Sequence, residues 1–254
     1  MDWHGQTVVV TGSTRGIGAA TAELFAAQGA HVVVHGLEAD EGAALVGTLR
    51  DAGGRASFVG GDLTRAEVPA EIVGHAVAET GRLDVLVNNA GANIFAGTVA
   101  ADLATWQKCL DLDLRAGWLT AQAAVAADAG LHAIVNVASN HARATFPGVF
   151  PYNVAKAGLL ALTQSLAIEL APRIRANAVC PGWTDTPINQ ELFAREPQER
   201  VRVEALHPLR RIGRPEDVAW AIRFLASSVE AAFVTGAVLT VDGGRSALLR
   251  DPVT

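Results

Sequence analysis

The stretch Thr7–Gly18, TVVVTGSTRGIG, decides the fold of this chain. Its apolar, β-branched start predicts a buried strand, and an alanine-rich segment over 16–28 predicts a helix directly after the glycines. Gly12, Gly16 and Gly18 allow a tight turn and would let a pyrophosphate approach backbone N–H groups at the positive end of that helix. The spacing G-x-x-x-G-x-G differs from the commoner G-x-G-x-x-G, so a turn that serves only strand–helix packing stays an alternative.

The same alternation of short apolar runs and longer helical patterns continues along the chain. The predicted strands are Thr7–Thr11, His31–Val34, Ala56–Val59, Asp84–Val87, Ala133–Val137, Ala176–Cys180 and Ala237–Val241. The predicted helices cover about 16–28, 40–52, 66–80, 102–127, 152–171 and 215–227. Strands that are apolar throughout are typical of a parallel sheet covered on both faces, so the pattern predicts a doubly wound α/β fold.

The chain shows no repeat or linker, which predicts one domain over residues 1–254. An irregular stretch between Pro181 and Pro215 is rich in charges and prolines, with a weak helical pattern. Long insertions of this kind are often mobile and functional. We therefore expect a substrate-loop insertion at about 183–214 that acts as a lid.

Composition narrows the possible partners. The net charge of −6 argues against nucleic acid or an anionic membrane as the main partner. The two cysteines, Cys109 and Cys180, lack metal-like spacing and are flanked by apolar residues, which predicts two small buried side chains and no metal site. The first residues, MDWHGQ, do not resemble a signal peptide, and no apolar run approaches the length of a membrane span. A cytoplasmic protein is the expectation.

Polar groups follow several predicted strands, where an open α/β sheet binds its ligands. They are the NNAG run at Asn88–Gly91, Asp62, Ser139 and the PGWTDTP run at Pro181–Pro187. Asp62 could accept a hydrogen bond from an adenine amino group or serve as a helix-capping carboxylate. The Ser139 hydroxyl could hold a carbonyl oxygen, and Thr184 and Thr186 could meet the polar end of a cofactor.

Tyr152 is the single tyrosine of the chain, and Lys156 follows it in the sequence YNVAK. In a helix, this spacing places both side chains on one face, one turn apart. An ammonium beside a phenol favours the phenolate, so the pair can exchange a proton at working pH. Taken alone, such a pair is more often a helix surface pair or a buried tyrosine with a satisfied hydroxyl.

Together these motifs resemble the short-chain dehydrogenases/reductases of about 250 residues. The resemblance covers nearly the whole chain, through TGSTRGIG, NNAG, IVNVAS, YNVAK, NAVCPG, RIGRPEDVA and VTGAVLTVDGG. It implies a Rossmann-type fold with a seven-stranded parallel sheet, a bound NAD(H) or NADP(H), and interconversion of alcohols and carbonyls. It further implies that Tyr152 is the catalytic acid/base, that Lys156 tunes it and binds the nicotinamide ribose, and that Ser139 orients the substrate oxygen.

The cofactor site implied by the motifs draws on every strand-end segment. Its residues are Gly12, Thr14, Arg15, Gly16, Ile17, Gly18, Leu37, Asp62, Leu63, Asn89, Ala90, Gly91, Tyr152, Lys156, Pro181, Gly182, Thr184 and Thr186. An acid at the end of the second strand would bind the adenine ribose, but that place reads HGLE, with Gly36 or Leu37 there. Arg15 could pair with a 2′-phosphate, whereas Glu38 could repel one. The sequence therefore leans slightly to NADP over NAD.

The segment WQKCLDLDLRAGW departs from the family pattern. It has Asp113 where the resemblance implies a fourth catalytic residue, asparagine, whose main-chain carbonyl holds a water in the proton relay and whose side chain helps fix a helix irregularity. A carboxylate keeps that carbonyl, loses the amide donors and adds charge near Lys156. We expect retuned or reduced activity from Asp113.

Substrate contacts are predicted from loops near the nicotinamide: Asn93, Ser139, His141 and Trp183, with Asn140, Phe146 and Asn189 nearby. The polar members favour a sugar-like or polyol alcohol, with a 3-oxoacyl thioester reductase as the alternative and a non-enzymatic dinucleotide sensor as a rival of another class. The resemblance also implies a homotetramer that assembles through helices near 102–127 and 152–171.

Overall fold

A parallel sheet of seven strands organises the computed structural model, which describes residues 3–248. The strands are β1 (Thr7–Val10), β2 (His31–Gly36), β3 (Arg55–Gly60), β4 (Val85–Asn88), β5 (Ala133–Val137), β6 (Arg175–Pro181) and β7 (Val238–Val241). Their order across the sheet is β3-β2-β1-β4-β5-β6-β7, with every neighbouring pair parallel. The predicted fold class is confirmed, and each predicted strand overlaps one of the observed strands.

Helices connect the strands over the predicted segments, and two further helices lie in the irregular stretch between Pro181 and Pro215, where the sequence shows only a weak helical pattern. They are α1 (Gly16–Ala27), α2 (Ala39–Asp51), α3 (Val68–Thr80), α4 (Leu103–Leu110), α5 (Ala116–Ala126), α6 (Tyr152–Glu169), α7 (Pro187–Arg195), α8 (Pro197–Ala205) and α9 (Pro215–Ala226). The long segment predicted over 102–127 is interrupted by a π-helical turn at Asp111–Arg115. Short 3₁₀ turns cover Asn140–Ala142 and Arg245–Ala247. The single domain over residues 1–254 stays a prediction, and its ends, 1–2 and 249–254, lie outside the described residues.

Two apolar layers cover the sheet because successive strand residues point to opposite faces. In β1, Val8 and Val10 pack on the side of α1, α2 and α9. Val9 packs on the side of α3, α5 and α6. All three valines are fully buried, which explains why the strands read as unbroken apolar runs.

The order of the strands places the polar strand ends together. β1 pairs with β2 on one side and with β4 on the other, so the chain connections diverge at β1. A crevice forms outside the carboxyl ends of the strands at such a switch point. The glycine turn after β1, the NNAG run after β4 and Ser139 after β5 all lie at this edge.

Candidate active site

Ser139, Tyr152 and Lys156 line one cleft at the carboxyl edge of the sheet. Ser139 follows β5 and caps the 3₁₀ turn, where its Oγ accepts a hydrogen bond from the His141 N–H at 3.1 Å. Tyr152 begins α6, and Lys156 lies one turn later with its Nζ 5.6 Å from the centre of the tyrosine ring. The two side chains therefore lie one turn apart on α6, as their spacing in the sequence predicts. Lys156 is buried, and its Nζ donates to the Val137 carbonyl at 3.2 Å.

Asp113 lies beside this group on the π-helical turn. Its Oδ1 is 3.2 Å from Lys156 Nζ, and the two side chains are 0% and 4% exposed. The same oxygen accepts a hydrogen bond from the Ala92 N–H at 3.2 Å, and the Cys109 thiol lies 3.9 Å from Oδ2. A wider helical turn at this point lets a residue of the connecting helix reach the lysine of α6. The carboxylate is therefore a direct partner of Lys156.

Burial and charge act in opposite directions on these groups. Burial raises the pKa of the Tyr152 phenol, while Lys156 and a side-chain hydrogen bond with Ser139 act to lower that pKa. Asp113 acts to raise it further. Burial raises the pKa of the Asp113 carboxyl despite the nearby ammonium. Burial acts to lower the pKa of Lys156, but the Asp113 carboxylate outweighs it, so the net pKa of Lys156 is raised.

Hydrogen bonds to His35 of β2 hold the glycine turn in place. The Gly12 N–H donates to His35 Nδ1 at 3.1 Å, and His35 Nε2 lies 3.0 Å from the Gly61 carbonyl. Ser13 completes the connection, because its Oγ accepts from the His35 N–H and donates to the Val10 carbonyl. His35 is 3% exposed, and burial lowers its pKa. No pattern in the sequence indicates this role, since a histidine inside a strand is usually a packing residue.

The NNAG run closes the other side of the turn. The Asn89 Nδ2 donates to the Thr11 and Gly12 carbonyls, each at 2.9 Å. The Thr11 hydroxyl in return accepts from the Asn89 and Ala90 N–H groups at 3.0 Å. A Cβ on Gly18 would meet the Gly12 carbonyl oxygen at a distance too short for any contact, so this position needs glycine. Asn89 thus braces the glycine turn.

The cleft has a volume of about 170 Å³ and brings together residues from TGSTRGIG, NNAG, IVNVAS, YNVAK and NAVCPG. The predicted residues that line it are Ile17, Asn89, Gly91, Asn93, Asp113, Ser139, Tyr152, Lys156, Pro181, Gly182, Thr184, Thr186 and Asn189. Gly12, Gly16, Gly18 and Ala90 lie around it in the turns just described. Ile188, 48% exposed at the start of α7, also lines the cleft and was missed by the sequence reasoning.

A second group of predicted cofactor residues lies toward the ends of β2 and β3. Arg15 is exposed at the start of α1, and Leu37 is 67% exposed after β2. The Thr14 hydroxyl donates to Glu41 at 3.0 Å. Asp62 is exposed after β3, and its Oδ1 accepts from the backbone and hydroxyl of Thr64, which lowers its pKa. Leu63, next to Asp62, is buried.

Aromatic rings surround the phenol. The Phe95 ring centre is 5.3 Å from that of Tyr152, and the His141 ring centre is 6.3 Å from it, both edge-to-face. Phe146 packs edge-on against His141 at 4.9 Å. Phe95 and Phe146 are 44% and 43% exposed, so Phe95 presents an apolar face beside Tyr152 and Phe146 presents one beside His141. The sequence reasoning missed Phe95, because only folding brings the loop after β4 to the start of α6.

Trp183 has a different setting from the other predicted substrate residues. Its ring packs against Phe193 of α7 at 6.0 Å, in a small cluster with Val203 and Ile212. Within residues 3–248, the cleft lining includes Asn93, Ser139 and Asn189 but does not include Trp183, and it also lacks Asn140, His141 and Phe146. The substrate contact of Trp183 stays a prediction.

Two further features concern residues 3–248. No group of three or more His, Cys, Asp or Glu side chains suits a metal ion in this part of the chain, and none of its helices could cross a membrane. Cys109 and Cys180 are free and fully buried, as predicted.

Comparison with known proteins connects this geometry to named enzymes. A family model described as enoyl-(acyl carrier protein) reductase matches residues 12–246. The chain is 44% identical over 248 residues to cis-4-hydroxycyclohexanecarboxylate dehydrogenase of Sinomonas cyclohexanicum, covering 96% of this chain and 97% of the relative. It is 39% identical over 250 residues to 3beta-hydroxysteroid dehydrogenase 1 of Eggerthella lenta, covering 96% and 94%.

A solved structure agrees with the fold. The 3-oxoacyl (acyl-carrier-protein) reductase from Agrobacterium tumefaciens C58, with NADP bound, superposes with a TM-score of 0.90. The two chains are 32% identical, and the match covers 95% of each.

Proposed function

This chain belongs to the short-chain dehydrogenase/reductase family, and we propose that Ser139, Tyr152 and Lys156 are its reacting groups. It is an oxidoreductase that acts on CH–OH donors and interconverts an alcohol and a ketone. The observation that carries the assignment of the residues is their convergence in one cleft beside the glycine turn. A protein that only sensed a dinucleotide would not need a serine, a tyrosine and a lysine in this arrangement.

Each of the three side chains has a distinct task in the proposed reaction. In ketone reduction, the Tyr152 hydroxyl gives its proton to the carbonyl oxygen, and the Ser139 hydroxyl donates a hydrogen bond to the same oxygen. In alcohol oxidation, the phenolate of Tyr152 takes the hydroxyl proton. Lys156 lies 5.6 Å from the ring centre and stabilises that phenolate.

The turn after β1 suits a dinucleotide. In the described chain, α1 begins without a side-chain cap and without an acidic residue in its first turn, so its N–H groups can meet a pyrophosphate. When bound, the nicotinamide supplies the hydride for reduction or takes it for oxidation. Two of the three Lys156 donors are engaged, by Val137 and Asp113, which leaves the third for a ribose hydroxyl.

NADP is the proposed preference over NAD. Arg15 is exposed at the start of α1, and Leu37 and Gly36 replace the acid that would bind a 2′-hydroxyl. A guanidinium in this position suits a 2′-phosphate. Glu38, exposed on the same side, opposes the preference.

The substrate of the proposed reaction is a secondary alcohol on an alicyclic ring, or its ketone. Phe95 next to Tyr152 and Phe146 next to His141 present exposed apolar faces, and the names of two relatives describe ring alcohols. Asn93 and His141 supply hydrogen-bonding groups near Tyr152, and these groups support the prediction from sequence that the substrate is a sugar-like or polyol alcohol. A 3-oxoacyl thioester is the second candidate, supported by the fold match to the solved 3-oxoacyl (acyl-carrier-protein) reductase.

The segment over about 183–214 is proposed as the substrate lid of a single domain, since Ile188 and Asn189 of α7 line the cleft. A homotetramer is proposed as the assembly. Trp118 on α5 and Ile168 on α6 are 46% and 79% exposed, and such apolar groups on the outer helices suit contact with a second copy.

A substrate panel run with NADPH and NADH tests the proposal. Cyclohexanone derivatives, sugar ketones and 3-oxoacyl thioesters are compared by cofactor absorbance. Tyr152→Phe should abolish turnover and leave cofactor affinity within about threefold, because it removes the phenol oxygen alone.

His141→Gln is the matched comparison, since His141 is the other titratable ring beside Tyr152. That variant should raise KM and retain kcat. Substantial turnover by Tyr152→Phe would refute the assignment, and cofactor binding without turnover on the whole panel would favour a dinucleotide sensor.

A further inference from the structure

The pairing of Asp113 with Lys156 is the most unusual feature of the cleft. Their charged atoms are 3.2 Å apart, and the two side chains are almost completely buried. Inside a protein, such a pair is weakly screened, so each charge strongly affects its neighbours. The ammonium that faces the tyrosine is therefore accompanied by a full opposite charge.

Backbone groups support the charged form of the pair. The Ala92 N–H donates to Asp113 Oδ1 at 3.2 Å, and the Val137 carbonyl accepts from Lys156 Nζ at 3.2 Å. Gly91 lets the loop after β4 lie over the pair, because a Cβ there would be 2.5 Å from the same Oδ1 and 3.0 Å from Nζ. The main chain on two sides thus holds the two side chains together.

The other titratable groups around Tyr152 and Lys156 do not offset the carboxylate. Cys109 of α4 has a pKa raised to about 12, chiefly by burial, so its thiol is neutral at working pH. Burial raises the pKa of the Cys180 thiol of β6. Arg143 and Lys156 act to lower that pKa, and Asp242 acts to raise it. His141 has a pKa lowered by burial and by Arg245. In the described chain, Lys156 and Asp113 are therefore the two charges that control the tyrosine.

We infer that Asp113 is a positioning residue that holds Lys156 and moves the working pH range of Tyr152 upward. A phenolate beside an isolated ammonium gains a full attraction, whereas a phenolate beside a neutral ion pair gains only the difference between two opposing interactions. The phenol therefore keeps its proton to higher pH. This inference rests on the proposed function of Tyr152.

The consequence differs for the two directions of the reaction. Ketone reduction uses the protonated phenol and so continues into the alkaline range. Alcohol oxidation uses the phenolate and so reaches its plateau only at higher pH. The equilibrium between alcohol and ketone is set by the reactants and does not change; the pH range of each direction does.

Asp113→Asn tests the inference because it removes the charge and keeps the shape. We expect the pH of half-maximal kcat/KM for alcohol oxidation to fall by about one unit. The pH at which kcat/KM for ketone reduction declines to half on the alkaline side should fall by the same amount. Asp113→Ser, also neutral, should shift the limbs in the same direction. Asp111→Asn is the matched control: its carboxylate lies on the same π-helical turn but pairs with Arg115 and Gln107. That variant should keep the wild-type profile.

The single tyrosine of the chain offers a direct readout. Ultraviolet difference absorbance of the phenolate titrates Tyr152 alone, in the wild type and in each variant, with and without bound NADP. In the wild-type protein without cofactor, half-ionisation should lie above about pH 10, the ordinary value for tyrosine. A phenolate that forms near neutral pH in the wild type would overturn the inference even if neither variant folds.

A pH profile of kcat/KM in Asp113→Asn that stays in place or shifts upward would also overturn the inference about Asp113. In that case the proposed function would still stand as long as Tyr152→Phe is inactive. If the wild type shows no turnover on the whole panel, the proposed function fails and this inference with it.

Discussion

His35 is expected to hold the glycine turn in place, and replacing it tests whether that turn is stabilised from β2. His35→Leu keeps a buried side chain of similar size and removes both ring nitrogens. The Gly12 N–H and the Gly61 carbonyl then lose partners that lie at 3.1 and 3.0 Å. Nδ1 accepts from Gly12, so the ring is neutral and Nε2 is the donor to Gly61.

The magnitude follows from the two lost hydrogen bonds. A buried polar group left without a partner costs about 1–3 kcal/mol, and both backbone groups here are only half-buried, so the lower part of that range applies. We expect His35→Leu to lower the free energy of unfolding by about 2–4 kcal/mol. The looser turn should also weaken cofactor binding about tenfold, equivalent to about 1.4 kcal/mol.

His35→Asn provides the control, because its side-chain oxygen can replace Nδ1 as the acceptor for Gly12 but its amide cannot reach Gly61. It should lose about half as much stability. Urea unfolding gives the free energies, and tryptophan fluorescence titration gives the dissociation constants for NADP. A His35→Leu protein within about 0.5 kcal/mol of the wild type, with unchanged affinity, would refute the reasoning.

The same histidine predicts a dependence on pH. Burial lowers its pKa from the ordinary 6.5, so the unfolded chain binds a proton at a pH where the folded protein does not. Its contribution to stability is complete above pH 6.5 and decreases as the pH falls below that value. Burial also lowers the pKa values of His31 and His132, so the His35→Leu variant keeps some acid sensitivity from them. His35→Leu should therefore show a smaller loss between about pH 6.5 and 5 than the wild type. An equal loss in both proteins would contradict the assignment.

Four further substitutions probe the rest of the proposal. Gly91→Ala places a Cβ 2.5 Å from Asp113 Oδ1 and 3.0 Å from Lys156 Nζ, and it should lower kcat at least tenfold in steady-state assays together with the melting temperature. Phe146→Ala removes a half-exposed wall and should raise KM for cyclohexanone substrates about fivefold, without changing KM for NADPH. Arg15→Ala should weaken NADPH binding about tenfold and leave NADH binding unchanged in fluorescence titrations. Trp118→Glu puts a charge on an exposed apolar helix face and should reduce the assembly to smaller species in sedimentation experiments.

The strands and the catalytic spacing could be predicted from sequence because both are local. A run such as that of β1 is apolar at every position because helices cover both faces of the sheet, and this requirement is visible without any partner strand. Tyr152 and Lys156 share a helix, so their separation in sequence fixes their separation in space. The expected helix irregularity is present at Asp111–Arg115 as a π-helical turn.

Contacts between elements far apart in sequence could not be predicted in the same way. The role of His35 depends on the pairing of β2 with both β1 and β3, which brings its ring between Gly12 and Gly61. The place of Phe95 next to Tyr152 depends on how the loop after β4 folds over α6. No periodicity carries this information, because loop geometry is set by packing that the loop itself does not encode.

Stability alone does not explain why Asp113 and Lys156 are both kept buried. Removing two charges from water is costly, and a buried ion pair is often no more stable than apolar side chains of similar size. The Ala92 N–H and the Val137 carbonyl offset part of that cost, yet the same groups could be satisfied by neutral partners. Neutral partners would not supply an ammonium group that is fixed in place and balanced by a neighbouring negative charge. We therefore interpret the pair as an arrangement that holds Lys156 within reach of the ribose and the phenol. The carboxylate at the same time limits how far Lys156 lowers the pKa of Tyr152.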